Sequence, residues 1–178
     1  MEEGLFLHPA NVLASVGIEA GMKVADFGAG SGFFTRAAAR AVGPTGTVWA
    51  VDMNPDLLVR IKNIALAEGL HNVEIVRGDL EEKEGSHLPK GQFDMVIAAN
   101  ILFSIEDKHA FAKEIVRVLG PQGRALILDW RGSFDGLGPH PDNVITTGAA
   151  RDVFESVGLV YAGDVPAGSF HWGFIVHK

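Results

Sequence analysis

Short apolar runs alternate along this chain with longer segments whose apolar residues recur every three or four positions. The short runs are typical of β-strands, and the longer spacing is typical of amphipathic helices. The pattern predicts strands at 23–27, 47–51, 73–77, 93–99, 124–130, 159–164 and 170–176. It predicts helices at 9–16, 32–42, 55–69, 107–119 and 147–157, with aperiodic loops at 80–92 and 131–146.

This strand-then-helix order indicates an α/β fold. Alternation of the two element types predicts a mainly parallel sheet with helices on both faces. The segment Phe93 to Ala99 is almost entirely apolar, as expected for a strand buried on both faces. A length of 178 residues fits one domain, so we expect 1–178 to form a single unit. Ligands of such sheets bind at the carboxyl ends of the strands, so the residues that follow each strand are the candidate ligand contacts.

Composition narrows the choice of partner. The formal net charge is -7, and the 15 basic residues are scattered, which argues against a nucleic-acid partner. There are no cysteines, no apolar run long enough for a membrane span, and an acidic N-terminus without the basic start of a signal peptide. We therefore expect a cytoplasmic protein, monomeric or homodimeric, that acts on a small molecule.

The first predicted strand leads into a glycine-rich turn with glycines at 28, 30 and 32. Glycine allows the backbone to turn sharply and to approach a ligand closely, and the following helix supplies free N–H groups. The dinucleotide pattern needs glycines at relative positions one, three and six, but position six here is Phe33. A nucleoside ligand other than a dinucleotide is therefore favoured, and a turn that binds nothing is the alternative.

Polar residues also follow the next three strands. Asp52 ends the second strand, where an acid can bond to ribose hydroxyls, and Asn54 already occupies the helix-cap position. Asp79 follows the third strand and could accept a bond from an adenine amino group, although it could equally stabilise a Gly-Asp turn. Asn100 follows the fourth strand and is either a ligand contact or an ordinary turn residue.

The segments 24–32, 51–53, 78–80 and 93–97 together resemble the class I S-adenosylmethionine-dependent methyltransferases. The resemblance extends from about Gly21 to Lys178, and 117–124 also resembles the family's stretch before strand five. It is strongest to the small-molecule branch that includes ubiquinone/menaquinone biosynthesis methyltransferases. It implies a Rossmann-like three-layer αβα sandwich, a seven-stranded sheet of order 3-2-1-4-5-7-6, and an antiparallel strand seven at 170–176.

The same resemblance implies S-adenosylmethionine as methyl donor and S-adenosylhomocysteine as product. Residues after strands one and four would hold the methionine part of the donor: Asp26, Gly28, Gly30, Gly32 and Asn100. Residues after strands two and three would hold the nucleoside. Asp52 would bind the ribose, Met53 and Leu80 would contact the adenine ring, and Asp79 would take its amino group.

The sequence alone does not identify the catalytic residue. Weak candidates for a general base are Asp129 after strand five, His140 in the 131–146 loop and His171 on the last strand, and each could instead be structural. No pair of histidines has metal-ligand spacing, so no metal site is expected. Only residues 1–20 and 131–146 remain to cover the site. Asn100-Ile101-Leu102-Phe103 lacks the Asn-Pro-Pro-aromatic signature of amino-group methylases, which again favours a small-molecule acceptor.

Three rival interpretations remain. The domain could bind the donor without turnover, or it could be a nicotinamide-dependent reductase. It could also be an aminopropyl transferase on the same fold. The misplaced third glycine and the absence of a separate substrate domain count against the reductase. Methyl transfer by in-line displacement is the interpretation that we carry forward.

Overall fold

The computed structural model describes residues 7–178, whose seven strands form one sheet of order β3-β2-β1-β4-β5-β7-β6. Neighbouring strands run parallel, except that β7 is antiparallel to both β5 and β6. The predicted order and the antiparallel last strand are confirmed. The strands are β1 (Lys23–Phe27), β2 (Thr47–Asp52), β3 (Val73–Arg77), β4 (Phe93–Ala99), β5 (Leu119–Trp130), β6 (Val160–Asp164) and β7 (His171–His177).

Helices cover both faces of the sheet, which confirms the three-layer architecture. The helices are α1 (Pro9–Ser15), α2 (Phe33–Val42), α3 (Pro55–Ala67), α4 (Lys108–Val118) and α5 (Thr147–Ser156). Buried residues of α1, α2 and α3 form one apolar core with one side of the sheet, and those of α4 and α5 form a second core with the other side. None of the helices described between residues 7 and 178 has the length and apolar character needed to span a bilayer.

The sequence signals for the third helix act as expected. The Asn54 side chain accepts hydrogen bonds from the N–H groups of Asp56 at 2.9 Å and Leu57 at 3.4 Å, and Pro55 begins α3. An Asn cap supplies an acceptor for N–H groups that the first helical turn leaves unpaired, and proline there has no N–H to satisfy. This cap fixes the direction of the chain immediately after the carboxyl end of β2.

The fifth strand begins earlier than predicted, at Leu119 rather than Arg124. Leu119 pairs with Phe93, and the next register pair joins Met95 to Arg124, so 120–123 bulge out of the ladder. A Cβ atom on Gly123 would lie only 2.8 Å from the Phe93 oxygen, which is why the bulge requires glycine there. The Gly-Pro signal ends α4 at Val118 as expected, but pairing resumes before the bulge rather than after it.

The predicted 131–146 loop packs against the body of the protein. Phe134 and Leu137 exchange backbone hydrogen bonds, and Pro141–Asn143 form a short 3-10 turn. At its end, the carbonyl of Ile145 accepts a hydrogen bond of 3.0 Å from the indole N–H of Trp172. At its start, the N–H of Arg131 donates to the Phe170 carbonyl at 2.8 Å, so both ends of the loop are held next to β7.

Candidate functional site

Two clefts open at the carboxyl edge of the sheet. The Asp52 cleft, about 380 Å³, lies at the ends of β2 and β3, and the His171 cleft, about 440 Å³, lies at the ends of β1, β5 and β7. Both are lined by Gly28, Gly30 and Asn100, so they meet above the glycine-rich turn. The arrangement suits one elongated ligand with a different group at each end.

The glycine-rich turn needs its glycines for different reasons. Gly28 and Gly30 have φ angles of 73° and 53°, which are rarely adopted by other residues. A Cβ atom on Gly28 would lie 2.1 Å from Cδ1 of Ile101, whereas the nearest atom to one on Gly30 is 3.9 Å away. Gly30 therefore faces open space where the clefts meet. Gly32 instead packs against α3, since its Cβ atom would be 2.7 Å from Cγ1 of Ile61.

Asp52 connects this turn to the end of β2. Its Oδ2 accepts a hydrogen bond of 2.9 Å from the N–H of Gly30, and its Oδ1 accepts one of 2.9 Å from the N–H of Asn54. A carboxylate has about four acceptor positions, so each oxygen can still accept a bond from a ligand hydroxyl. Asp52 is half-buried and lines the Asp52 cleft, as a ribose-binding acid would.

The remaining nucleoside-site candidates lie in the same cleft. Met53 is 60% exposed at its mouth, while Leu80 is buried in its wall. Oδ1 of Asp79 accepts a bond of 3.0 Å from the N–H of Glu81, so this residue does stabilise its own turn while also lining the cleft. Sequence reasoning missed Glu81. Its carboxylate accepts hydrogen bonds from the backbone N–H groups of both residues that directly precede α4, and it thereby fixes the cleft wall.

Asn100 lies between the two clefts in an unusual state. Its φ angle is 56°, as in many turn residues, and its N–H donates to the Leu128 carbonyl at 2.9 Å, which continues the pairing of β4 with β5. Its Oδ1, however, is buried with no hydrogen-bond partner among residues 7–178. An unpaired buried acceptor costs about 1–3 kcal/mol, so a ligand donor placed here would be stabilised. The turn interpretation explains the backbone of Asn100 but leaves its side chain unexplained.

Asp26 is the acid of the other cleft. It is 2% exposed, lines the His171 cleft, and accepts a hydrogen bond of 2.5 Å from the hydroxyl of Thr35. Burial raises the pKa of the Asp26 carboxyl to about 6, against the opposing effect of the Thr35 hydrogen bonds. Sequence reasoning missed Thr35; its signal was a polar residue on the otherwise apolar face of α2.

The Asp26→Asn variant should become more stable than the parent protein as the pH rises. The pKa of Asp26 is raised by folding, so the native state binds more protons than the unfolded state, and the stability of the parent falls with rising pH. The advantage of the variant should grow by about 2 kcal/mol between pH 4 and pH 7. Urea unfolding at several pH values measures it, with Asp56→Asn as the exposed control. A difference independent of pH would contradict the assignment.

The three candidates for a general base lie in different parts of the structure. His171 lines the His171 cleft, whereas His140 is an exposed residue of the loop, with its Nδ1 3.4 Å from the N–H of Asp142. Asp129 lies on the opposite face of the sheet from His171, and its Oδ1 accepts the N–H of Trp130 at 2.7 Å. Burial raises the pKa of the Asp129 carboxyl to about 6, while the N–H groups of Trp130, Leu102 and Phe103 oppose that shift. The structure thus brings one of the three to the clefts.

The N-terminal segment, one of the two predicted covers, lines the His171 cleft, whereas the loop at 131–146 only packs against one of its walls. Leu7 and Pro9 line it, and residues 1–6 lie outside the described residues. The loop at 131–146 packs on Trp130, since a Cβ atom on Gly138 would lie 3.0 Å from Cε3 of its ring. Within the part of the chain that the structure describes, no three His, Asp or Glu side chains are arranged to hold a metal ion.

Comparison with known proteins decides the family. A family model described as "Methyltransferase domain" matches residues 18–157. The chain belongs to this methyltransferase family. It is 35% identical over 130 residues to the ubiquinone/menaquinone biosynthesis C-methyltransferase UbiE of Chromobacterium violaceum, covering 73% of this chain and 52% of that protein. For UbiE of Burkholderia vietnamiensis, the identity is 35% over 128 residues, with 72% and 51% covered. The chain spans about half the length of the curated relatives it matches.

Solved structures support the same assignment. An S-adenosylmethionine-dependent methyltransferase from Aquifex aeolicus superposes with a TM-score of 0.87 at 26% identity, covering 97% of this chain and 90% of that one. The [4+2]-cyclase SpnF superposes with a TM-score of 0.79 at 15% identity, covering 96% and 79%, and shows the fold alone. The resemblance and fold class that the sequence predicts are confirmed.

Proposed function

We propose that this methyltransferase-family protein transfers a methyl group from S-adenosylmethionine to a small-molecule acceptor. The observation that carries the proposal is the meeting of the Asp52 cleft and the His171 cleft above Gly30. One cleft offers a half-buried acid beside apolar side chains, which suits a nucleoside. The other offers a buried acid and further apolar space, which suits an amino-acid group and an acceptor.

In the Asp52 cleft, the carboxylate of Asp52 accepts hydrogen bonds from the ribose hydroxyls of the donor. Met53 and Leu80 lie against the adenine ring, and Asp79 accepts a bond from its amino group. The support for these roles is that all four residues line one cleft at the ends of neighbouring strands. Asp52 has a second effect on the donor, because it also holds the N–H of Gly30 and so fixes the turn that the donor crosses.

In the region where the clefts meet, the methionine part of the donor crosses Gly28 and Gly30. Its ammonium group lies near Asp26, where a nearby cation would favour the ionised carboxylate that burial disfavours in the free protein. Asn100 uses its unpaired Oδ1 to accept a hydrogen bond from the same end of the donor. Gly32 contributes by letting α2 approach α3 closely.

The bound donor supplies a methyl group already activated by its positively charged sulfur. The protein therefore contributes mainly alignment, which in the best cases accounts for about 7–11 kcal/mol of the barrier. The acceptor occupies the rest of the His171 cleft. Leu7 and Pro9 line it, and the loop at 131–146 packs on its Trp130 wall, so both segments limit the entry of water.

Calorimetric titration of the full chain with S-adenosylhomocysteine tests the proposal, with NADH and NAD as controls. We expect a micromolar dissociation constant, about -8 kcal/mol, for S-adenosylhomocysteine alone. Preferential binding of NADH would establish the reductase, and the absence of any binding would refute the donor assignment. Where the expected binding is found, turnover of small acceptors with S-adenosylmethionine separates an enzyme from a domain that only binds the donor.

A further inference from the structure

The imidazole of His171 is a buried polar group without a partner. The residue begins β7, pairs with Trp130 of β5, and is 4% exposed. Both of its ring nitrogens lack a hydrogen-bond partner within residues 7–178, although the ring lines the His171 cleft. Burying such a group unpaired is unfavourable, so a ligand in the cleft that forms a hydrogen bond with one of these nitrogens would be stabilised.

The walls around His171 favour a planar, apolar molecule. The Trp130 ring centre lies 4.2 Å from that of His171 with the planes tilted by 39°. Phe33, Phe34 and Leu7 supply the other large apolar side chains of the cleft. An aromatic acceptor would therefore bury its ring here while its polar group meets the imidazole.

Burial, together with the nearby guanidinium of Arg131, favours the neutral form of the His171 imidazole. Burial lowers the pKa of His171, and the guanidinium of Arg131 lowers it further; the Nε of Arg131 donates to the His171 carbonyl at 2.5 Å. Asp26 lines the same cleft, and Asp129 lies on the far face of the sheet. A neutral imidazole at ordinary pH is ready to accept a proton.

We propose that His171 accepts the hydroxyl proton of a phenolic methyl acceptor that binds against Trp130. This inference rests on the proposed function. In the step, the phenolic oxygen forms a bond to the methyl carbon while the carbon–sulfur bond breaks and its electron pair stays on sulfur. The hydroxyl proton moves to a ring nitrogen of His171, which later releases it to water.

Charge balance favours a hydroxyl over an alkylamine. Before the step the donor sulfur is positive and the imidazole is neutral; afterwards the sulfur is neutral and the imidazole is positive, so the charge in the cleft is unchanged. A protonated alkylamine would instead bring a second cation beside the donor sulfur and Arg131. Like charges in a water-poor cleft repel strongly, so such an acceptor is disfavoured.

The test uses the full chain with histidine labelled by ¹⁵N, loaded with S-adenosylhomocysteine, and two probes, 4-methoxyphenol and 4-nitrophenol. Adding 4-methoxyphenol should shift the ring-nitrogen resonances that are missing in His171→Phe. With S-adenosylmethionine, this variant should form the methyl ether of 4-methoxyphenol about 100-fold more slowly, the lower end of general-base effects. The loss should be much smaller for 4-nitrophenol, which is a far stronger acid and loses its proton without the help of a general base.

Phenylalanine keeps the aromatic contact with Trp130 and removes two unpaired nitrogens, so the fold should tolerate it. The matched control is His177→Phe, an exposed position on the same strand, which should behave like the parent protein. Equal losses for both phenols would indicate a steric role and overturn the inference. So would absence of any resonance shift with either phenol while S-adenosylhomocysteine still binds. Failure of S-adenosylhomocysteine itself to bind would overturn the proposed function, and the inference with it.

Discussion

Replacing Gly30 with valine should abolish binding of S-adenosylhomocysteine while leaving a folded protein. A Cβ atom on Gly30 would meet no protein atom beyond its chain neighbours closer than 3.9 Å, because it points into the space where the two clefts meet. The valine methyl groups would then occupy the path of the methionine part of the donor. Calorimetry should find no binding to the variant. The protein concentration should be high enough to detect a dissociation constant about 100-fold above that of the parent, a loss of about 2.7 kcal/mol in binding free energy.

The control must distinguish loss of binding because the valine blocks the donor from loss of binding because the backbone at residue 30 is strained. Gly30 has a φ angle of 53°, and a β-branched residue there is strained by about 1–2 kcal/mol. Gly69 has a φ angle of 74°, also faces open space, and lies at the end of α3 away from both clefts. Gly69→Val should therefore lower the melting temperature by a similar amount and retain full binding. Binding that survives in Gly30→Val, or that is lost in both variants, would contradict the assignment of the turn.

The architecture could be predicted closely because two independent signals agreed. Apolar periodicity placed each strand and helix, and the motifs after the first four strands pointed to a family of known sheet order. The boundary at β5 was missed because it depends on pairing between Leu119 and Phe93 across a bulge, which no local pattern encodes. A Gly-Pro pair ends a helix wherever it occurs, but it does not indicate where a strand resumes hydrogen bonding.

The donor site was easier to predict than the catalytic residue. Asp52, Asp79 and Asn100 were identifiable because parallel strands bring their carboxyl ends to one edge. Asp129 and His171 both lie near the end of a strand, yet they face opposite sides of the sheet. His171 shares a face with Trp130, and that pairing depends on the β5–β7 register, which forms between segments distant in sequence. Its place in the wall of the His171 cleft, which distinguishes it from the equally buried Asp129, exists only in the folded protein.

The Asp52→Ala variant should weaken binding of S-adenosylhomocysteine by about 1.5–3 kcal/mol, or roughly 10- to 100-fold in dissociation constant. The substitution removes charge-assisted hydrogen bonds to the ribose hydroxyls. It also removes the acceptor of two hydrogen bonds, each 2.9 Å long, that the N–H groups of Gly30 and Asn54 donate to the carboxylate. Calorimetric titration of the variant against the parent protein measures the combined loss.

The Asp52→Asn variant separates the contribution of the bonds to the ribose from that of the hydrogen bonds to Gly30 and Asn54. The amide keeps one acceptor oxygen, which can still hold either Gly30 or Asn54, but it loses the charge that strengthens bonds to the ribose. Its affinity should therefore fall between those of the parent and Asp52→Ala. Asp56→Ala removes an exposed acid from the first turn of α3 and should leave affinity unchanged. If Asp52→Ala binds as tightly as this control, neither the ribose contact nor the support of the glycine turn can be the role of Asp52.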